Sequence, residues 1–173
     1  MIDSPHMKVL ALTLLLAAGA FAQKIDMQFD QAVNFSQYKT FAIRQANLNS
    51  KNPALNGELV RKRISADIDK YLGAKGLEDV GTGTGRTDLN VRYTLGSVRK
   101  AEVEAYPAGW WGTRLVRVPY TEGTLVIDLR DPKTQSLVWR VIAQEEKSNA
   151  QQVESKLDDM VKKAFEKYPP KAK

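Results

Sequence analysis

Apolar and polar residues alternate along Leu89-Asn90-Val91-Arg92-Tyr93-Thr94-Leu95, the clearest β-strand pattern in the chain. Gly123–Arg130 alternates in the same way, with Leu125, Ile127 and Leu129 on one side. After the turn-forming Asp131-Pro132-Lys133-Thr134, the residues Leu137, Trp139, Val141 and Ala143 repeat the pattern, so the two runs predict a hairpin. Ile25–Phe29 and Thr40–Arg44 predict earlier strands. Between them Asn34–Tyr38 reads as a turn, because Asn and Ser bond to nearby backbone. Leu77–Val80 reads as a short edge strand. The Leu89 strand continues with a weaker pattern over Val98–Val103. Leu115, Val116 and Val118 begin another strand, which Pro119 marks as irregular or at an edge.

Two segments change period. Leu55, Leu59, Val60, Ile64, Ile68, Tyr71 and Leu72 recur at helical spacing, predicting a helix from about Ala54 to Leu72. The polar stretch Gln45–Asn56 reads as a loop leading into it, with Asn52 as N-cap before Pro53 and Gly73 or Gly76 as the stop. Val153, Leu157, Met160, Val161, Ala164, Phe165 and Tyr168 form the stripe of a last helix, ended by Pro169-Pro170. Each helix has one apolar face and needs a sheet to cover. The expected fold is therefore α+β: a largely antiparallel sheet of about five or six strands with two helices packed on one face, in a single domain over residues 23–173.

The first part of the chain has a different character. Met7–Ala22 carries Lys8, an unbroken apolar run Val9–Leu16, and Ala20-Phe21-Ala22 at its end. This is the layout of a secretory signal peptide with an A-x-A cleavage site, and its apolar core is too short for a membrane span. Residues 1–6 read as an upstream mis-start or an expression remnant. The expectation is an exported protein of the periplasm or outer-membrane surface, with no transmembrane span once the leader is removed.

Charge and composition narrow the chemistry. The net charge is +6, with Lys and Arg spread along the chain among acidic residues. That balance describes a solvated surface, and one suited to weak contact with anionic envelope polymers or lipid head groups. No nucleic-acid partner is expected for an exported protein. The chain has no cysteine, and its one histidine, His6, lies ahead of the leader. Thiol nucleophiles, Cys-based metal sites, His general bases and Ser-His-Asp triads are therefore excluded from the mature chain. No cofactor and no metal site are expected.

Several segments in order carry a resemblance. They are Asn34-Phe35-Ser36-x-Tyr38-Lys39-Thr40-Phe41, the helix end Leu72-Gly73-Ala74-Lys75-Gly76, Thr87-Asp88-Leu89-x-Val91-x-Tyr93, Gly123–Leu129 and Leu137-Val138-Trp139-Arg140. Together they resemble the bacterial envelope family catalogued as domain of unknown function 4136, over nearly the whole mature chain. The resemblance implies an exported protein, often a lipoprotein, with no assigned activity. It also implies a Gly/Trp/Tyr-rich loop before the last hairpin, which Tyr106–Gly112 matches. Gln23 stands where a lipidated Cys would follow the cleavage site, so no lipid anchor is expected.

The Tyr106–Arg114 segment is the leading candidate site, with Tyr106, Trp110, Trp111 and Arg114 as partner-binding residues and Arg117 adding charge nearby. Exposed aromatics mark surfaces for carbohydrate, lipid head groups or protein; the alternative is that the tryptophans fold back as a lid on the core. Carboxylates are the only strong acid–base groups left. Asp128 and Asp131 straddle the hairpin turn and Glu145 and Glu146 follow the last strand, so a small carbohydrate-active hydrolase is the alternative class. Asp128 is expected on the solvent face of its strand and Asp131 in the turn. Trp139 is expected in the core, and Lys162, Lys163 and Lys167 on a solvated helix face. No catalytic residue is assigned. The favoured reading is a non-enzymatic envelope protein that binds or scaffolds an envelope component, with assembly through a sheet edge as a further alternative.

Overall fold

The structure, a computed structural model, describes residues 23–81, 85–108 and 112–170. The leader reading of residues 7–22 thus lies outside the described residues. Nine elements follow in chain order: β1 (Lys24–Phe29), β2 (Thr40–Ser50), α1 (Glu58–Gly73), β3 (Glu78–Asp79), β4 (Leu89–Pro107), β5 (Thr113–Arg130), β6 (Leu137–Ser148), α2 (Ala150–Ser155) and α3 (Leu157–Glu166). The six strands described form one sheet in the order β1-β6-β5-β4-β2-β3.

The sheet is mixed, which corrects the expected largely antiparallel one. β1, β6, β5 and β4 pair antiparallel in turn, whereas β2 runs parallel to both β4 and β3. The cause is α1. A helix following β2 carries the chain back along the sheet, so the next strands start beside the start of β2. Period-two alternation is the same in either direction and carries no sign of this.

Cross-strand rows explain the core. Val91, Leu129 and Trp139 are neighbours, as are Tyr93, Ile127 and Val141, and Leu95, Leu125 and Ala143. All nine are buried on one face. That face is covered by Val60, Ile64, Ile68 and Leu72 of α1 and by Leu157, Met160, Val161, Ala164 and Phe165 of α3. Burying one such aliphatic or aromatic side chain contributes about 1.5–3 kcal/mol. A polar clasp adds direction: the Tyr93 hydroxyl donates to the Arg61 carbonyl at 3.0 Å and lies 3.0 Å from the Ser65 hydroxyl, pinning α1 to β4.

Other boundaries differ from the sequence expectation. Gln45–Ser50, expected as loop, extends β2 because Ala46, Leu48 and Ser50 pair with Tyr93, Leu95 and Ser97. The strand ends where the Asn56 side chain brackets Ser50, accepting from its N–H at 2.9 Å and donating to its carbonyl at 2.7 Å. Pro53–Asn56 is a separate 3-10 turn capped by Asn52, so α1 starts at Glu58 rather than Ala54. Leu55 is buried from that turn, while Leu59 is 80% exposed, outside the stripe it was assigned to. Gly76, with φ +87°, takes the left-handed conformation just after α1. The last helix is broken at Lys156 into α2 and α3, giving three helices where two were expected. A capping box between Asn149 and Gln152 starts α2.

Candidate functional site: the β4–β5 arm

Tyr106 and Arg114 fall in paired strands, not in a loop. β4 runs on to Pro107 and β5 starts at Thr113, and Tyr106 lies directly opposite Arg114. The local reason is continued cross-strand pairing without a break from Asn90↔Arg130 to Pro107↔Thr113. At the tip the Ala108 N–H donates to the Gly112 carbonyl at 2.8 Å, with Gly112 at φ +119°. Pro119, expected to mark a strand as irregular or at an edge, sits in register opposite Ala101 on a stretch of β5 that pairs with no other described strand.

Neighbouring strands do not follow the hairpin outward. β2 stops pairing at Ser50↔Ser97 and β6 at Ser148↔Thr121. Among the described residues, from Lys100↔Tyr120 to Pro107↔Thr113 the two strands pair only with each other, over roughly 25 Å, and no described strand lies along either outer edge. Pro119 has no N–H to offer a further strand, a feature that blunts edges in natural sheets. At the root, Lys100 forms an ion pair with Glu122.

The ribbon carries apolar residues on both faces. Ala101, Val103, Ala105, Leu115 and Pro119 share one face with Arg117; Val116, Val118, Tyr120 and Tyr106 share the other with Arg114. Leu115 is 70% exposed, Val103 54% and Tyr106 46%. Trp110 and Trp111 lie between the two strands in sequence, outside the described residues. The structure therefore brings Tyr106 and Arg114 together at the end of an arm.

Among the described side chains, Asp128, Asp131 and Glu145 do not form a facing pair. Asp128 lies on the sheet face away from the helices, where Arg140 grips it with two hydrogen bonds of 2.6 Å. That is the face expected for it, although with Arg140 against it Asp128 is only 9% exposed. Glu145 is on the helix face, buried and paired with Lys156. Asp131 orders its turn as expected, accepting from the N–H groups of Lys133 at 2.7 Å and Thr134 at 3.3 Å. The Glu146 side chain lies outside the described residues. Trp139 is fully buried, as expected. Among the described residues no three His, Cys, Asp or Glu side chains form a metal-ligand cluster, and no helix is long and apolar enough to cross a membrane.

One pair of acids stands out electrostatically. Asp67 of α1 meets Asp158 of α3, whose Oδ1 also accepts from Lys70 at 3.1 Å and Tyr71 at 3.0 Å. Burial, then the charge of Asp158 and a hydrogen bond to it, push the Asp67 pKa up to about 6. The Lys70 hydrogen bond holds Asp158 below the usual carboxylate range. The folded state holds the Asp67 proton more tightly than the unfolded chain does. Its stabilising effect is thus full below pH 3.8 and is lost as pH rises to about 6. Asp67→Asn is expected to raise stability above pH 6 by about 1 kcal/mol, or about 2–4 °C in Tm, after allowance for solvent screening at this half-buried site. Melting curves at pH 7 and pH 4 check this, the gain vanishing toward pH 4.

Comparison with known proteins places the fold. No curated protein sequence matches the chain. Solved structures of other proteins share the fold. A PDZ domain protein from Parabacteroides distasonis matches with TM-score 0.57 and 14% identity, over 86% of this chain and 36% of its own. The chain thus spans about a third of that protein's length. A PelC dodecamer from Paraburkholderia phytofirmans matches with TM-score 0.52 and 11% identity, over 83% and 95%. A neuraminyllactose-binding hemagglutinin homolog from Helicobacter pylori matches with TM-score 0.53 and 8% identity, over 84% and 94%. The model of the domain of unknown function family DUF4136 matches residues 25–170, almost all of the described chain, and the protein belongs to that family.

Proposed function

We propose that this is an exported, non-enzymatic protein of the cell envelope that holds an envelope component through the β4–β5 arm. Tyr106, Trp110, Trp111 and Arg114 form its contact end. The observation that carries the reading is the ribbon from Lys100↔Tyr120 outward, which has no described strand along either edge and apolar side chains on both faces. A two-stranded ribbon is only marginally stable in water by itself. A segment of this length and exposure is best accounted for by a partner that covers it. The leader-like Met7–Ala22 supports export, and Gln23 after it supports a protein without a lipid anchor.

The test is crosslinking in intact bacterial cells with the full chain. The Trp110→Ala/Trp111→Ala and Tyr106→Ser/Arg114→Ser variants should keep the parent's melting temperature and lose the crosslinked partner about tenfold, as expected for contact residues at the centre of an interface. Unchanged crosslinking in both variants removes the reading.

The open edges also favour a second reading, assembly of the chain with itself; the PelC neighbour of the same fold is a dodecamer. Sedimentation of the purified protein separates the two. A monomer at every concentration tested removes self-assembly.

A further inference from the structure

One face of the β4–β5 arm is apolar, exposed and without a carboxylate, and we infer that it lies on the head-group layer of an anionic lipid bilayer. The inference rests on the reading of the arm as the contact surface and names the partner. The face holds every second cross-strand pair from Arg99↔Thr121 to Pro107↔Thr113. Of its ten residues six are apolar, two are arginine and two are threonine. The acidic positions Glu102 and Glu104 alternate with these and pair with Val118 and Val116 on the other face. Glu122, at the root, is on that other face as well, in an ion pair with Lys100.

This face continues the core side of the sheet. Nearer the centre of the same strands, Leu95↔Leu125 and Ser97↔Gly123 belong to it and are buried. Val153 of α2 lies over Gly123, and beyond that point the helix cover stops. The apolar alternation does not stop with it. Nine of the ten residues outward are exposed, Thr121 at the root being half-buried. On the other face Val116, Val118 and Tyr120 are half-buried. The exposed apolar surface is therefore one-sided, as on an element that rests against an apolar medium.

Charge decides between the possible covers. A second copy packed face to face would set Arg99 and Arg117 against like charges, with no carboxylate on either face to answer them. Among the described residues Arg99, Arg114 and Arg117 form no ion pair within the chain. A lipid head-group layer offers phosphates to these guanidiniums while their stems lie along apolar surface. The end of the arm has the composition of an interfacial anchor: Tyr106 stands opposite Arg114, and Trp110 and Trp111 fall between the two strands in sequence. The backbone sets the depth. Outward N–H and C=O groups of a two-stranded ribbon cannot be left unbonded in hydrocarbon. The arm therefore lies among head groups and water and does not span the acyl layer.

The test is tryptophan fluorescence of the full chain with mixed phosphatidylglycerol–phosphatidylcholine vesicles, against phosphatidylcholine alone. Trp139 is fully buried and the other two tryptophans are Trp110 and Trp111, so lipid-dependent quenching reports the end of the arm. Binding is expected on the anionic vesicles, with stronger quenching by lipids brominated near the head group than by lipids brominated near the chain end. Val103→Ser/Leu115→Ser and Arg99→Gln/Arg117→Gln, all at exposed positions, should keep the parent's melting temperature and bind about tenfold more weakly. Lys62→Gln, at an exposed position of α1, should bind like the parent. No lipid-dependent quenching, stronger quenching from the chain end, or parent-like binding by either double variant overturns the inference. Oligomers in sedimentation that Val103→Ser/Leu115→Ser dissolves would give the face to a second copy and overturn it too. Arm-dependent crosslinking to a protein in cells, without vesicle binding, overturns the bilayer assignment and leaves the arm as the contact surface.

Discussion

Replacing Trp139 with alanine is expected to cost about 3–5 kcal/mol and to lower Tm by about 10 °C or more. Trp139 is fully buried, between Leu129 of β5 and Phe29 of β1 in the cross-strand row. Its ring stacks on Phe165 of α3 at 5.5 Å and 13°, and meets Tyr168 edge-on at 5.6 Å. Tyr168 in turn packs edge-on against Phe35 at 5.8 Å, and Phe35 against Phe29 at 6.2 Å. One deletion therefore loosens β1, α3 and the turn between β1 and β2 together. Trp139→Phe should cost well under half as much, since it keeps most of the stack and removes an indole N–H that has no hydrogen-bond partner. Urea denaturation of the three proteins checks both. A Trp139→Ala loss of about 1 kcal/mol or less would mean this end of the core is not continuous with the rest.

Gly123→Ala is expected to cost about 1–3 kcal/mol. Gly123 lies on the helix face of β5, where α2 crosses it. An added Cβ would stand 2.6 Å and 3.1 Å from the two γ carbons of Val153, and 3.5 Å from its Cβ. Rotating Val153 exchanges one clash for the other, because both γ positions are too close, so α2 must lift. Val153→Ala removes both γ carbons and leaves an ordinary contact. The double variant should therefore recover most of the loss, with a coupling of about 1–2 kcal/mol in a double-mutant cycle. Independent, additive effects would show that α2 does not rest on Gly123. The glycine is required by close approach, not by its backbone angles.

The buried faces were largely readable from the pattern, Leu59 of the α1 stripe being an exception. Leu89–Leu95, Gly123–Arg130 and the α1 stripe each meet a single core, and burial of one face imposes the alternation. The parallel pairing of β2 was not readable from alternation, although a helix between two strands is the connection that parallel strands require. The second half of β2 was missed because Gln45, Asn47 and Asn49 face solvent and its apolar residues, Ala46 and Leu48, are only half buried. The arm hid for a related reason: both of its faces are open to solvent, so no burial selects one set of residues. Tyr106 and Arg114 stood out by composition, but their pairing depended on register.

The pairing of β1 with β6 sets a schedule for folding. Lys24 lies opposite Gln144 and Phe29 opposite Trp139, so the first strand made has its partner among the last. At about 5–20 residues per second of synthesis, β1 waits on the order of 10 s for a neighbour. Lys167 then reaches back to the Ile25 carbonyl at 3.3 Å, and Tyr168 packs against Phe35. This edge of the sheet closes only after the segment up to Tyr168 has been made, and until then β1 remains free for whatever handles the nascent polypeptide.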